Sequence, residues 1–177
     1  MGYLFRGSAS PTQAPTVAQQ ARGTAPSKTD PNSQASVAQA AVPLLEAVNR
    51  DPGDYDSLVK LGNLYYDAKQ FADAVQYYQR ALAIHPDNAD VRTDMGTAYW
   101  YSGDADKAVE AMEASLHYQP GHPQTLFNLG WVRWQGKADP KGAVEAWQQL
   151  LKANPDYPQR QQVEQYIAKA KEHASRG

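Results

Sequence analysis

No cysteine occurs in the 177 residues, which excludes disulfides, thiolate metal sites and thiol nucleophiles together. The same absence suits an oxidising compartment and many cytosolic proteins alike. No apolar run approaches the ~20 residues that a bilayer-crossing helix needs. Lysine and arginine form no cluster. Net charge is +2 over residues 1–34, −6 over 35–157 and +2 over 158–177, which together give the chain's −2. An acidic middle without a basic stripe lacks the surface that tracks phosphates, so nucleic acid is not an expected partner. Catalytic signatures are missing too. His85, His117, His122 and His173 have no metal-ligand spacing such as HExxH, and neither a Gly-rich phosphate loop nor a nucleophile elbow is found. The reading expects no enzyme, no metal and no cofactor.

The opening stretch MGYLFRG places Tyr3, Leu4 and Phe5 before Arg6. It reads either as an ordinary N-terminus or as the cut inner end of a membrane anchor. A myristoylation signal wants Ser or Thr where Arg6 stands, so that reading fails. Residues 7–34 are rich in Ser, Thr, Pro, Ala and Gln and show no apolar period. Such a segment buries too little surface to offset its ordering entropy. Residues 1–34 are therefore expected to be a disordered tether.

From residue 35 the pattern changes. Polar-residue–proline pairs end at Pro52, Pro86, Pro120 and Pro155, at spacings of 34, 34 and 35. Counting places within units that start at Tyr55, Ala89 and Pro123, place 8 holds Gly62, Gly96 and Gly130. Leu61, Met95 and Leu129 precede them; Tyr65, Tyr99 and Arg133 fill place 11. Further on come Ala74, Ala108 and Ala143, then Tyr78, Met112 and Trp147. Two antiparallel helices approach closely only where side chains are small, so the glycine and alanine files mark a hairpin contact and the large residues fill around it. Asp139 and Pro140 read as an N-cap and a first helical position, which absorbs the third unit's extra residue in a turn.

These files resemble the tetratricopeptide repeat family, whose unit is a helix hairpin of this length. The resemblance implies an all-α fold: a right-handed superhelix of three hairpins, at 54–88, 89–122 and 123–156. An N-terminal helix over 35–53 and a C-terminal helix within 157–177 would seal the ends. Leu44 and Val48 would face inward on the first, with Pro43 kinking or splitting it. Val163, Tyr166, Ile167 and Ala170 would do so on the second. Arg92 and Arg133 stand where the family has large apolar residues, and their stems are expected to run along the hairpins with the charged heads in water.

In that family places 2, 5, 9, 12 and 13 line a concave groove that binds a segment of another protein. Carried over, the groove residues are Val59, Asn63, Tyr66, Asp67, Thr93, Thr97, Trp100, Tyr101, Phe127, Trp131 and Trp134. Trp100 is the centre of this expectation, because consecutive residues of a helix point about 100° apart and it cannot share the inward direction of Tyr99. Trp131, Trp134 and Phe127 either face the groove or lie under the C-terminal helix. Asp56, Asp90 and Asp94 would select basic residues in a partner that also offers apolar anchors. The subset of the family that grips a C-terminal carboxylate uses lysine, arginine and asparagine where this chain has Val59, Asn63, Asp94, Gln124 and Asn128. Only Asn63 matches, and Asp94 would repel such a ligand. The architecture also resembles membrane-anchored repeat proteins of the bacterial cell envelope, including those of cytochrome c maturation. That likeness implies a periplasmic-face location, with the cytoplasm as the alternative. A second reading is a self-assembling homo-oligomer in which one molecule's tail or cap lies in its neighbour's groove.

Overall fold

A computed structural model of the chain describes residues 31–176. Eight helices follow one another there, with no strand among the described residues: α1 (Pro31–Arg50), α2 (Tyr55–Asp67), α3 (Phe71–Ile84), α4 (Ala89–Tyr101), α5 (Ala105–Tyr118), α6 (Pro123–Gln135), α7 (Pro140–Ala153) and α8 (Arg160–Arg176). Each packs on its neighbours in sequence, and α4 also touches α6. This is the all-α repeat superhelix that the periodicity implies: hairpins α2–α3, α4–α5 and α6–α7 between a leading and a closing helix.

The sequence marks where the helices start. First-turn N–H groups have no acceptor within their own helix, and Asp54, Asn88 and His122 supply one at successive starts. The Ser57 N–H donates to Asp54 at 3.1 Å, that of Val91 to Asn88 at 2.9 Å, and that of Thr125 to His122 Nδ1 at 3.3 Å. On the second helices, Asp104 and Asp139 accept from the N–H of Lys107 at 3.0 Å and of Gly142 at 2.9 Å. These bonds favour the charged form: hydrogen bonds from the Ser57 side chain and backbone hold the Asp54 carboxyl below its usual range, and those from Lys107 do the same for Asp104.

The hairpins close where the small residues stand. A Cβ added to Gly62 would lie 2.5 Å from the Tyr78 ring, and one on Gly130 would overlap the Trp147 indole. One on Gly96 would sit 3.0 Å from Met112 Cγ. Place 8 therefore meets place 24 in the first two units and, past the third unit's extra residue, place 25 in the third. Around them lie two apolar clusters, one built mainly from α1 to α4 and one from α5 to α8, with Tyr99 packed against both.

One expectation needs correction and a second is narrowed. Helix α1 begins at Pro31, so residues 31–34 are helical rather than part of the tether. Proline is favoured in a first helical turn, and the Ala/Gln-rich run behind it suits a helix. Pro43 does not split α1, which is a single helix. Both Pro43 and Gln39 are exposed, so water can reach the carbonyl that loses its donor. The tether expectation for residues 7–30 and the anchor reading of Tyr3–Arg6 lie outside the described residues.

The two arginines run along the repeats as expected, but their heads are not left in water: Arg92 Nε is buried and the Arg133 side chain is only 23% exposed. The Arg92 guanidinium lies over the Tyr118 ring, 5.3 Å from its centroid, and donates to the Pro86 carbonyl. Arg133 donates to the Gly142 carbonyl at 3.3 Å and to Glu113 at 2.5 Å, linking α6 to both α7 and α5.

Candidate peptide-binding groove

The first helices of the hairpins, α2, α4 and α6, carry the expected groove residues, and at places 5 and 9 these become buried from the second unit onward. At place 5, Val59 is half-buried, but Thr93 and Phe127 are buried. At place 9, Asn63 is half-buried, while Thr97 and Trp131 are buried. Place 12 stays half-open throughout, with Tyr66, Trp100 and Trp134. Asp67 and Tyr101 at place 13 are exposed, as are Asp56 and Asp90 at place 2. Asp94, expected to be accessible, is buried at 4% exposure.

The groove expectation therefore fails for Thr93, Thr97, Asp94, Phe127 and Trp131, and in most of these the reason is visible. Thr93 Oγ1 donates to the Ala89 carbonyl at 2.7 Å and meets Ser115 Oγ at 3.0 Å and Thr125 Oγ1 at 2.5 Å. His122 continues this chain of contacts: Nδ1 is 2.7 Å from Thr125 Oγ1, and Nε2 is 2.8 Å from Asp90 Oδ1. Because Nδ1 accepts the Thr125 N–H, the ring's proton belongs on Nε2, which donates to Asp90. A satisfied polar network of this kind fixes α4 against α6. Thr97 turns its hydroxyl back on the Asp94 carbonyl at 2.7 Å, and Gln124 Nε2 donates to the Asp94 carboxylate at 3.4 Å.

Farther along, α8 occupies what would be open groove. The Tyr166 ring centroid lies 6.3 Å from Phe127, 5.5 Å from Trp131, 6.4 Å from Trp134 and 5.6 Å from Trp147. Trp134 donates its indole N–H to His173 Nδ1 at 3.2 Å. Of the two readings of these aromatics, packing beneath the cap is the one the structure holds. Burial at the same α7–α8 junction pushes the Tyr157 hydroxyl up to about 12. Trp100 is intermediate: its ring lies against Gly136 in the α6–α7 turn and near the Ala105 methyl. It joins unit two to unit three as well as bordering the groove.

What remains open lies over α2 and α4. Tyr101 is 41% exposed, and its ring stacks on Phe71 at 5.2 Å with Tyr66 at 6.2 Å. Tyr66 also meets Phe71 edge-on at 5.4 Å. Phe71 opens α3 and was not among the expected residues. Nothing in its spacing signals a ligand surface; the short turn after α2 carries it there. The three rings form an aromatic ledge at the last turns of α2 and α4, with exposed Asp67 beside it. Asp56 and Asp90 stand at the first turns of the same helices. Ten residues of helical rise separate Asp56 from Tyr66, about 15 Å, or the length of roughly five extended residues.

Three family models described as tetratricopeptide repeat match residues 34–89, 65–129 and 124–157. The chain belongs to the tetratricopeptide repeat family, a family of protein-interaction scaffolds. It is 30% identical over 128 residues to the heat-shock protein cognate (HSC) co-chaperone sgt12 of Aspergillus fumigatus, covering 72% of this chain and 37% of that protein. It thus spans less than two fifths of that relative's length. Among solved structures, the Sgt2 TPR domain from Aspergillus fumigatus is similar at a TM-score of 0.62 and 29% identity, over 70% of this chain and 83% of that one. The structure of MamA is similar at 0.63 and 18% identity, over 82% and 92%. That last likeness is one of fold alone.

Proposed function

We propose that this chain is a non-catalytic interaction module that holds a short segment of a partner protein, with aromatic or aliphatic anchors and basic residues, in the half-groove over α2 and α4. The carrying observation is the ledge of Tyr66, Phe71 and Tyr101 with Asp67 at its edge. Contiguous exposed aromatic surface is the usual anchor of a binding site, and neighbouring carboxylates bias it toward cationic partners.

A carboxylate-gripping co-chaperone is a poorer fit, despite the co-chaperone relative. Asn63 accepts the Tyr78 hydroxyl at 2.8 Å, Asn128 is buried, and Asp94 stands where a neutral asparagine would be needed. The cell-envelope and cytochrome c readings rest on Tyr3–Arg6 and the segment behind it. No helix among the described residues is long and apolar enough to cross a membrane, so any anchor would have to lie elsewhere.

An array of peptides combining Phe, Tyr or Leu with Arg or Lys at varied spacing, alongside acidic counterparts, tests the proposal. Basic aromatic peptides should bind. Tyr101→Ala should weaken them at least tenfold, about 1.4 kcal/mol, with little change in melting temperature. Preferential binding of acidic C-terminal peptides, or binding indifferent to Tyr101, overturns it.

A further inference from the structure

The half-groove has a matching segment within this chain. Tyr3, Leu4, Phe5 and Arg6 combine two aromatics, an aliphatic and a cation, and no other aromatic residue occurs in the first 30 positions. Residues 1–34 carry +2 and residues 35–157 carry −6. The surface of the open half-groove is built from the complementary set: Tyr66, Phe71 and Tyr101, with Asp67 beside them.

The path of the chain favours this pairing. Helices α1 and α2 pack together and are joined by only residues 51–54, so they run antiparallel. The Pro31 end of α1 therefore points the same way as the Tyr66–Asp67 end of α2, where the ledge lies. Residues 7–30, 24 in all, lie between Arg6 and α1. Fully extended, 24 residues reach up to about 80 Å, so chain length alone lets residues 3–6 reach the ledge. A ligand tethered within reach of its site binds as an intramolecular partner, at an effective concentration that dilution of the protein does not change.

We infer that residues 3–6 are an intramolecular ligand of the α2–α4 half-groove, occupying it until a partner segment of similar chemistry displaces them. This rests on the groove reading above. The aromatic side chains would sit on the ledge and the Arg6 guanidinium beside Asp67. Even a weak contact, made within one chain, competes with a partner in dilute solution. The segment would thus set a threshold that only a tight or abundant partner passes.

The test uses the full chain and a fluorescent peptide of residues 1–9, MGYLFRGSA, as probe. The wild type is compared with the triple variant Tyr3→Ser, Leu4→Ser, Phe5→Ser, which leaves every described residue intact. The variant should bind the probe at least tenfold more tightly than the wild type, and adding Tyr101→Ala to the variant should abolish that gain. Sedimentation should show the wild type as a monomer at the concentrations used. Equal affinity of wild type and variant for the probe overturns the inference. So does an association state that rises with wild-type concentration and is lost in the variant, since the occupant is then a neighbouring copy. If neither protein binds the probe while both bind basic aromatic peptides from the array, the inference fails and the groove function stands. If neither binds any peptide, both fail.

Discussion

At Gly62, Gly96 and Gly130 the same residue faces three different partners, and the partners decide what a methyl group would cost. The Tyr78 ring opposite Gly62 is fully buried and anchored by its hydroxyl to Asn63. Trp147, opposite Gly130, is fully buried and donates its indole N–H to the Phe127 carbonyl at 3.0 Å. Neither ring can yield. Met112, opposite Gly96, is an unbranched thioether that can adjust, but an added Cβ would also stand 3.2 Å from the Ala108 carbonyl, which is backbone and cannot. Alanine is also worth up to about 1 kcal/mol over glycine inside a helix. Gly62→Ala and Gly130→Ala should therefore lose about 1–3 kcal/mol in urea denaturation, whereas Gly96→Ala, whose nearest contacts stand at 3.0–3.3 Å, should lose less. A Gly130→Ala protein as stable as its parent would mean that the hairpins do not close as described. The glycine file was legible in sequence because a close backbone approach admits almost no other residue. Thr93, Thr97 and Asp94 were not. A hydroxyl or a carboxylate at a groove register looks like surface, and the groups that bury Thr93 and bond Asp94 come largely from the next repeat.

At the scale of the element, the three hairpin turns solve one problem with different residues. Each first helix ends on a left-handed residue: Lys69 at φ 60°, Gly103 at φ 91° and Ala138 at φ 50°. In the first two turns, Gln70 and Asp104 then donate back to the Tyr65 and Tyr99 carbonyls at 2.8 and 2.9 Å. In the third, which is one residue longer, Asp139 reaches the Arg133 carbonyl at 2.8 Å. Only glycine adopts this conformation without a steric cost, and other residues give up roughly 1–2 kcal/mol there. Part of any gain is returned through the freer unfolded chain of glycine. Lys69→Gly and Ala138→Gly should each stabilise by about 0.5–1 kcal/mol, read as a rise in melting temperature. Gly103→Ala should do the reverse, and an added Cβ there meets nothing within 4 Å, so its cost is conformational alone. No gain from either glycine variant would show that the turns relax to other geometries. Sequence marked the third turn by Asp139–Pro140. The αL roles of Lys69 and Ala138 carry no residue signature, because hairpin closure imposes them.

At the scale of the molecule, the groove divides into an open half and a sealed half because Tyr166 of α8 packs against the aromatics of α6 and α7. The helical spacing of Val163, Tyr166, Ile167 and Ala170 showed that α8 has an apolar face. It could not show that Tyr166 reaches Phe127, Trp131, Trp134 and Trp147 together, because that depends on how α8 lies across α6 and α7. Tyr166→Ala separates the two halves. Removing the ring should uncover indoles that are now packed, shift tryptophan emission to longer wavelength and lower stability by about 1–3 kcal/mol, less than a fully buried aromatic because Tyr166 is only half-buried. In a repeat array each unit leans chiefly on its neighbours. The loss should therefore concentrate in α6–α8, and the α2–α4 ledge should keep its peptide affinity within about twofold, well under 1 kcal/mol. Peptide titration at a temperature where the variant remains folded checks this beside the emission spectrum. A Tyr166→Ala protein that melts like the wild type yet binds peptide tenfold more weakly would place the working surface at the C-terminal aromatics and reverse the assignment of the two halves.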